Sequence, residues 1–340
     1  MDPKVLCAGH LCLDITPVFH GGGVPDLTQV FSPGRLTQVG RCDIHLGGAV
    51  GNTGLAMRFF GADALLCGKI GADELGQTVE RRLDGCPSVL IKDDAAGTSY
   101  TVVLAVPGHD RLFLHHPGAN DAFSAGDIPE RALEGAAHLH FGYPPLMRRM
   151  YGDGGEELVK IFARAKNRGV TTSLDLAAVD PGSDAGKADW RAILAKVLPL
   201  TDYFVPSADE LCSMLNPSRF ARWGGPGLGE DVKPMADEVI AMGAKTVLIK
   251  CGAPGLYYRS GGTEGFQRSF RPSRIASTAG AGDVCIAAFL TAALRGSALP
   301  DAARLAAAAG ACCVTAYDTL SGLKPLEEMD RLINAGWEPI

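Results

Sequence analysis

The chain has 340 residues, of which 46% are hydrophobic and 21% are charged, and its formal net charge at pH 7 is −6. These values are ordinary for a globular protein, so they argue against a disordered chain, a collagen-like chain and a membrane protein. The acidic balance is accompanied by no basic block. It therefore argues against nucleic acid as a partner and favours a small molecule.

The cysteines and the N-terminal segment indicate the compartment. The ten cysteines include no C-x-x-C pair, and Cys312 and Cys313 are adjacent, a spacing that suits neither zinc nor a compact disulfide framework. We therefore expect reduced, mostly buried thiols. The N-terminal apolar run is broken by Gly9 and His10, unlike a signal peptide, and no apolar run reaches the ~20 residues that cross a bilayer. A cytoplasmic protein without a membrane partner is expected.

In chain order, short apolar runs alternate with helical segments. The runs indicate buried strands at residues 5–7, 64–67, 137–141, 170–176, 203–205 and 246–250. The helical segments lie at residues 52–60, 74–83, 156–168, 190–197, 209–215 and 232–242. Such alternation implies βαβ units and a parallel sheet. The sequence therefore predicts an α/β fold with three layers, α/β/α, around a mostly parallel central sheet.

One region breaks this alternation. Residues 99–106 and 111–116 are rich in β-forming residues and are separated by the turn-forming tetrad P-G-H-D, with no helix between them. They predict an antiparallel hairpin. Residues 36–46 can add further strands, so we expect a small sheet standing off the main domain. An exposed edge of that sheet would offer a surface for a homodimer.

The stretch S-T-A-G-A-G-D, residues 277–283, leads directly into an apolar helix. Gly280, Ala281 and Gly282 have almost no side chain, so their backbone N–H groups can approach an anion closely, and the helix adds its positive dipole end. Asp283 then lies where phosphoryl transfer needs a base. A tight turn relieved by glycine and an aspartate that caps a helix explain the same residues without a ligand.

A second glycine-rich stretch, H-L-G-G-A-V-G-N at residues 45–52, precedes a helix. Gly47 and Gly48 would let a polyhydroxylated ligand rest on backbone, and Asn52 offers donors and acceptors to hydroxyl groups. A glycine-containing helix start explains this pattern equally well. Asp14, expected at the end of the first strand, could accept hydrogen bonds from two sugar hydroxyls; an Asx turn is the alternative.

Two motifs, G-G-x-x-x-N and T-x-G-A-G-D, together resemble those of the ribokinase family of carbohydrate kinases, also called the pfkB family. Four further stretches agree with the family in order and spacing: G-K-I-G-A-D-E-L-G at 68–76, H-P-G-A-N at 116–120, P-S-A-D-E at 206–210 and C-G-A-P-G at 251–255. The resemblance covers nearly the whole chain. A single motif would mean little, whereas six in the family's order are specific.

The resemblance implies one ribokinase-like domain over residues 1–340, with a β-sheet lid from segments at about 15–46 and 97–117. It also implies a kinase that uses ATP and Mg²⁺ to phosphorylate a hydroxyl, expected to be primary, on a sugar or sugar-like acceptor. Carried over to this sequence, the implied site residues are Asp283 as general base; Gly280, Ala281 and Gly282 as anion hole; Asp14, Gly47, Gly48, Asn52 and Tyr143 for the acceptor; Ser207, Lys250, Gly252 and Gly255 for the nucleotide; and Glu210 for magnesium, through water.

Three positions depart from the family's pattern. Ser277 stands where the last motif usually begins with Asp, which puts a potassium site in doubt. Ser207 replaces the Asn that precedes the magnesium-side Glu. Tyr143 stands where ribokinase itself has a glutamate near the sugar, so the resemblance does not imply ribose as the acceptor.

Two other functions stay open at this point. One is a nucleoside kinase. The other is a catalytically weak sugar-binding or regulatory protein that keeps the kinase fold, which the two serine departures motivate. The intact G-A-G-D argues against the second, because a protein without turnover has no physical need for a base beside an anion hole.

Two histidine pairs are weaker candidates for a site. His138 and His140 lie two apart on one predicted strand and could hold a metal, but no third ligand has suitable spacing. His115 and His116 would point to opposite faces of an extended strand. At most one of them can therefore face an acceptor under the lid.

Overall fold

The computed structural model describes residues 2–23, 26–109, 111–225 and 227–340. In these residues the strands are β1 (Lys4–Gly9), β2 (Cys12–Pro17), β3 (Cys42–Gly47), β4 (Asp63–Gly71), β5 (Ser88–Asp93), β6 (Tyr100–Leu104), β7 (Leu112–His116), β8 (His138–Gly142), β9 (Thr171–Leu174), β10 (Tyr203–Phe204), β11 (Thr246–Lys250), β12 (Gly255–Ser260) and β13 (Thr263–Arg268). The α-helices are α1 (Leu55–Phe59), α2 (Glu74–Arg82), α3 (Glu130–Glu134), α4 (Arg148–Tyr151), α5 (Glu156–Lys166), α6 (Asp184–Lys187), α7 (Trp190–Val197), α8 (Ala208–Leu215), α9 (Pro217–Phe220), α10 (Lys233–Ala241), α11 (Ala281–Leu294), α12 (Leu299–Cys313) and α13 (Leu326–Asn334).

Within the described residues, nine strands form one large sheet in the order β13-β12-β11-β10-β9-β8-β1-β4-β5. The strands from β11 to β5 in this order pair in parallel, and β12 and β13 are added antiparallel at one edge. Parallel strands covered by helices are buried on both faces, which explains why Leu6, Phe141 and Ile249 are fully buried. The predicted mostly parallel central sheet is confirmed.

Helices cover both faces of this sheet. On one face, Phe162 of α5 and Leu194 of α7 belong to the hydrophobic cluster that packs against the strands. On the other face, Phe289 of α11 and Ala306 of α12 belong to a second cluster. Because each helix must bury one apolar stripe against the sheet, this is the α/β/α layering that the strand and helix alternation predicts.

A separate sheet has the strand order β3-β2-β6-β7. Strands β6 and β7 form the predicted antiparallel hairpin, whose turn tetrad includes residue 110, outside the described residues. Strand β2 pairs antiparallel with β3 and parallel with β6. Of the segment 36–46, only residues 42–46 are in a strand. The expected lid segment 15–46 also contains residues 24 and 25, which lie outside the described residues.

The position of Asp14 differs from the expectation. Strand β1 ends at Gly9, and Asp14 lies within β2 of the small sheet, opposite His45 of β3. The chain leaves the large sheet where the His10 N–H donates to the Gly142 carbonyl at the end of β8 (3.2 Å). The first apolar run is thus divided between two sheets, and Asp14 approaches the site from the smaller one.

Local structure also departs from the sequence pattern at two places. The helix expected at 52–60 begins as a π-helix over Val50–Gly54 and continues as α1. The antiparallel pair of β12 and β13 is not anticipated, because five of the six residues of Thr263–Arg268 are polar or glycine and no apolar run marks the strand. No helix in the described part of the chain has both the length and the apolar character needed to span a bilayer.

The cysteines are free thiols and mostly buried, as expected. Eight of the ten are buried, Cys86 is half-buried, and Cys42 on β3 is exposed.

The paired histidines His138 and His140 are also buried, and both rings lie 2.8 Å from the hydroxyl of Ser173 on β9. Hydroxyl partners therefore satisfy ring nitrogens of this pair within the sheet.

Candidate active site

The loop before α11 ends in a turn that brings backbone donors and a carboxylate together. Gly280 has a φ of 72°, and a Cβ on it would lie 2.5 Å from Thr319 Oγ1, so both backbone and space require glycine. Ala281 and Gly282 begin α11, whose first N–H groups lack helical partners and whose dipole is positive at this end. Asp283, the third residue of α11, is only 4% exposed.

Three side chains donate hydrogen bonds to the Asp283 carboxylate. Thr53 Oγ1 donates to Oδ1 (2.8 Å) and Asn52 Nδ2 donates to Oδ2 (3.2 Å); both come from the π-helix. The Tyr143 hydroxyl lies 2.9 Å from Oδ1 and 2.8 Å from Oδ2. Thr319 Oγ1 donates to Asn52 Oδ1 (3.0 Å), which orients that amide. The structure thus places Asn52 against the carboxylate, with both ends of its amide engaged.

The environment of Asp283 favours a role as proton acceptor. Burial raises the pKa of its carboxyl above the ordinary value, although hydrogen bonds from Thr53 and Tyr143 and the charge of Lys250 oppose this. A raised pKa makes a carboxylate a stronger base and brings it closer to neutral pH, where general bases work best. The prediction of a base at this position is therefore consistent with its surroundings.

Tyr143 reaches Asp283 from a strained backbone. It follows β8 with φ 65° and ψ 42°, in the left-handed region. A bulky residue is rare there, and Pro144 further restricts the residue that precedes it. Such conformations typically cost ~1–3 kcal/mol and occur at functional sites. The strain is thus located where the side chain contacts the carboxylate.

Gly47 and Gly48 lie where two polar side chains approach the backbone. A Cβ on Gly47 would overlap the Asp14 carboxylate, and a Cβ on Gly48 would lie 2.5 Å from His10 Nδ1. Gly48 also has a φ of 73°. Residues with side chains would push both groups away. The glycine pair therefore sets Asp14 and His10 beside the start of the π-helix.

His115 of the small sheet joins this cluster. Its Nδ1 lies 3.0 Å from Thr101 Oγ1, and its ring centroid lies 5.1 Å from that of His10. His116 instead contacts the ring of Tyr100, so only one of the two neighbouring histidines faces the cluster, as strand alternation requires. Burial lowers the pKa of His10 well below its ordinary value and that of His115 to about 4. Both imidazoles are therefore neutral at pH 7.

Asp14→Asn is expected to stabilise the folded protein at neutral pH. Burial raises the pKa of the Asp14 carboxyl to about 6, above the ~3.9 of an unfolded chain. In the wild type, binding of a proton to Asp14 stabilises the folded state. This stabilisation is complete below pH ~4 and is lost as the pH rises through about 6. Thermal denaturation should therefore show a gain of ~1–3 kcal/mol at pH 8 that shrinks at pH 4. An equal gain at both pH values would contradict this explanation.

A buried ion pair lies on the other side of the α11 N-terminus. Lys250, at the end of β11, is 7% exposed and its Nζ lies 2.8 Å from Asp175 Oδ1. A Cβ on Gly282 would lie 3.5 Å from Lys250 Cδ, so the lysine stem contacts the glycine loop. Burial opposes its charge, but Asp175 and Glu210 together raise the pKa of Lys250 above its ordinary value. A cation is therefore held next to the loop.

Ser207 and Glu210 lie beside this pair. They form a capping box at the start of α8, in which Glu210 Oε2 accepts the Ser207 N–H (2.8 Å). Ser207 also forms a parallel β-bridge with Lys250. Burial raises the pKa of Glu210, against the opposing charge of Lys250. Ser207, Glu210 and Lys250, which are expected near the nucleotide and the metal, are thus adjacent in space.

The two remaining nucleotide candidates form the turn between β11 and β12. The Cys251 N–H donates to the Gly255 carbonyl (2.8 Å), and the Gly255 N–H donates to the Gly252 carbonyl (3.2 Å). A Cβ on Gly255 would overlap the Gln267 carbonyl of β13, whereas Gly252 has open space around it. Close strand packing therefore accounts for Gly255, and a nucleotide contact at either glycine stays a prediction.

Several polar residues of the cluster have no sequence signal. His10 lies between two strands, Thr53 lies inside a predicted helix, and Thr319 belongs to no recognisable motif. Thr53 contacts Asp283, which lies more than 200 positions away in the chain. His10 lies between β1 of the large sheet and β2 of the small sheet. Only the tertiary structure brings them to the site.

Comparison with known proteins identifies the family of the chain. The profile of the pfkB family of carbohydrate kinases matches residues 4–325. The chain belongs to the pfkB family. This pfkB protein is 26% identical over 311 residues to the 2-dehydro-3-deoxygluconokinase of Bacillus subtilis (strain 168), an alignment that covers 89% of this chain and 90% of that one.

Solved structures with the same fold include a ribokinase and a putative ribokinase II. The Arabidopsis thaliana ribokinase complexed with ribose and ATP has a TM-score of 0.74 and 20% identity, covering 98% of this chain and 99% of that one. A putative ribokinase II from E. coli in complex with ATP and Mg²⁺ has a TM-score of 0.74 and 21% identity, covering 98% and 100%. The predicted ribokinase-like fold and the predicted enzyme class, a carbohydrate kinase, are confirmed.

Proposed function

We propose that this pfkB protein transfers the γ-phosphoryl group of ATP to a hydroxyl, expected to be primary, on a sugar or sugar-like acceptor. The main support is the buried Asp283 carboxylate at the N-terminus of α11, directly after the turn at Gly280 and within the field of Lys250. In this arrangement one group can accept a proton while backbone donors and a cation stabilise the charge on the transferring phosphoryl group.

The proposed reaction assigns a role to each part of the loop. Asp283 accepts the proton of the acceptor hydroxyl as its oxygen attacks the γ-phosphorus. The bond from that phosphorus to its bridging oxygen breaks, and the oxygen leaves with ADP. The N–H groups of Gly280, Ala281 and Gly282 and the charge of Lys250 stabilise the phosphoryl oxygens. Asp283 then releases its proton to solvent.

The residues around Lys250 fit a complex of ATP with magnesium. Mg²⁺ in phosphoryl-transfer sites usually binds one or two carboxylates, the substrate phosphates and water. Glu210 uses Oε2 in its helix cap, which leaves Oε1 for a water-mediated contact. We propose Ser207, Gly252 and Gly255 as neighbours of the nucleotide. When bound, magnesium neutralises the phosphate charge.

We propose that the acceptor lies between the small sheet and α11. Asp14 can accept hydrogen bonds from hydroxyls, and Gly47 and Gly48 offer backbone. The neutral imidazoles of His10 and His115 can each donate and accept. His10 Nδ1 and His115 Nε2 are buried and lack a partner within the described residues, which is consistent with a polar ligand there.

ADP formation by the purified protein, with ATP and Mg²⁺, tests this function. The panel comprises 2-dehydro-3-deoxygluconate, ribose, fructose and nucleosides, each with and without potassium because of Ser277. Acceptor-dependent ADP formation would support the proposal and identify the acceptor class. Binding of a sugar without ADP formation would favour a sugar-binding protein, and a preference for nucleosides would favour a nucleoside kinase.

We also propose that the small sheet is a lid and the contact surface of a homodimer. Its edge strand β7 exposes Leu112, Phe113 and Leu114, at 42%, 56% and 59%. An exposed apolar edge strand tends to pair with another strand, and identical edges can pair with each other.

Leu114→Lys is therefore expected to convert the dimer into a monomer in sedimentation measurements, because a charge on the edge strand opposes pairing. Ile275→Lys is the matched control, since Ile275 is 71% exposed but lies outside the small sheet. It should leave the mass unchanged. A wild-type protein that sediments as a monomer would rule out the dimer.

A further inference from the structure

Hydrogen bonds from three donors occupy most of the acceptor positions of the proposed base. A carboxylate has two oxygens with about four lone-pair sites. Thr53 and Asn52 each bond one oxygen, and the Tyr143 hydroxyl lies within hydrogen-bond distance of both. Because the Tyr143 hydroxyl has one proton but lies almost equally close to Oδ1 and Oδ2, it spans both oxygens and covers the carboxylate on the side from which it approaches. An acceptor hydroxyl that binds the carboxylate from that side must displace the donor there before the base can take its proton.

The three donors differ in how firmly they are held. Thr53 is fully buried, and Asn52 is 8% exposed and is bonded at its other end by Thr319. Tyr143 instead is half-buried, and its ring centroid lies 6.0 Å from that of His10, in the cluster proposed for the acceptor. Tyr143 therefore stands between the carboxylate and that cluster. Its hydroxyl is the donor that an acceptor would meet first.

We propose that the Tyr143 hydroxyl occupies the place of the acceptor hydroxyl on Asp283 and is displaced when the acceptor binds. This inference rests on the proposed function. It makes Tyr143 a specificity-determining residue, because the base becomes available to an acceptor that displaces the tyrosine and stays closed to water. ATP bound without an acceptor is then protected from hydrolysis.

Two further observations agree with a displaceable phenol. The backbone of Tyr143 is strained, so leaving this conformation relieves energy that the hydroxyl bonds now offset. Burial and the charge of Asp283 raise the pKa of the Tyr143 hydroxyl well above its ordinary value. The phenol therefore stays protonated and donates as an alcohol would.

Tyr143→Phe tests the proposal because it removes the hydroxyl but keeps the ring. A hydrogen bond to a charged group is strong enough to change an equilibrium about tenfold or more. Acceptor-free release of inorganic phosphate from ATP and Mg²⁺ should therefore rise about tenfold, and the acceptor KM should fall about tenfold, with kcat retained. Tyr203→Phe is the matched control, since its ring contacts His138 and Phe289; it should change neither value.

Two results would overturn the proposal. A loss of kcat as large as that of Asp283→Asn, without extra phosphate release, would mean that Tyr143 transmits the proton. Unchanged KM and phosphate release would leave Tyr143 as a wall of the pocket. In both cases wild-type turnover would still support the kinase function, whereas a wild type that forms no ADP with any acceptor would reject that function and this inference together.

Tyr143→Gly covers the case in which the phenylalanine variant does not fold. Glycine adopts the left-handed conformation without strain and also lacks the hydroxyl. The same rise in acceptor-free phosphate release is expected. A folded glycine variant with wild-type phosphate release would contradict the displacement of Tyr143.

Discussion

Replacing Asp283 with asparagine is expected to lower turnover by about 10²–10⁴-fold, the usual contribution of a positioned base. The amide has nearly the volume of the carboxylate but cannot accept the proton of the acceptor hydroxyl. The fold should survive, because the change removes a buried charge whose desolvation is unfavourable. The check combines initial rates of ADP formation with thermal denaturation of both proteins.

Asp301→Asn is the matched control for this variant. Asp301 lies in the first turn of α12, as Asp283 lies in the first turn of α11, but its side chain is 58% exposed. The same chemical change there should leave turnover unaltered. Full activity of Asp283→Asn would exclude Asp283 as the base. In the wild type, activity should fall as the pH is lowered. The fall should occur at a pH above ~3.9, the pKa of an ordinary aspartate, because burial raises the pKa of Asp283.

Replacing Lys250 with methionine is expected to destabilise the protein by ~3–5 kcal/mol, the usual cost of leaving one member of a buried ion pair unpaired. Asp175 is 1% exposed and would lose the ammonium 2.8 Å from its Oδ1. Turnover should also fall, since the cation beside Gly282 is proposed to stabilise the phosphoryl oxygens. Urea denaturation gives the free energy of unfolding, and ADP formation gives turnover.

The double variant Lys250→Met with Asp175→Asn separates these two effects. Removing both charges should recover most of the stability, because no unpaired charge stays buried, while turnover stays low. Lys245→Met, which breaks an exposed pair with Asp202, should cost less than ~1 kcal/mol. If the double variant is as unstable as Lys250→Met alone, lost packing of the lysine stem accounts for the effect.

Local patterns are sufficient for much of the fold and for the centre of the candidate site. The apolar runs around Leu6, Phe141 and Ile249 predict strands because parallel strands are buried on both faces. The glycine turn and the carboxylate of Asp283 are neighbours in sequence, so their proximity follows from the chain itself. Gly280 has a left-handed φ, and the glycine in the motif already suggests such a turn.

Contacts between distant residues could not be predicted in this way. Tyr143 and Asp283 are 140 positions apart, and nothing near Tyr143 in sequence announces a left-handed tyrosine before proline. The prediction that Asp14 ends the first strand is wrong, because the apolar run continues past the point where the chain changes sheets. His10 has no motif at all, and its place depends on the close approach of Gly48.

The exposed thiol of Cys42 gives the small sheet a natural labelling position. Only a thiolate reacts readily with maleimides, and burial raises the pKa of Cys285 to about 12 and of Cys251 to about 11. With Cys86→Ser to remove the half-buried thiol, a fluorophore would attach at β3 alone. Energy transfer to a second dye beside the large sheet would then test, in single molecules, whether the small sheet opens and closes as the proposed lid requires.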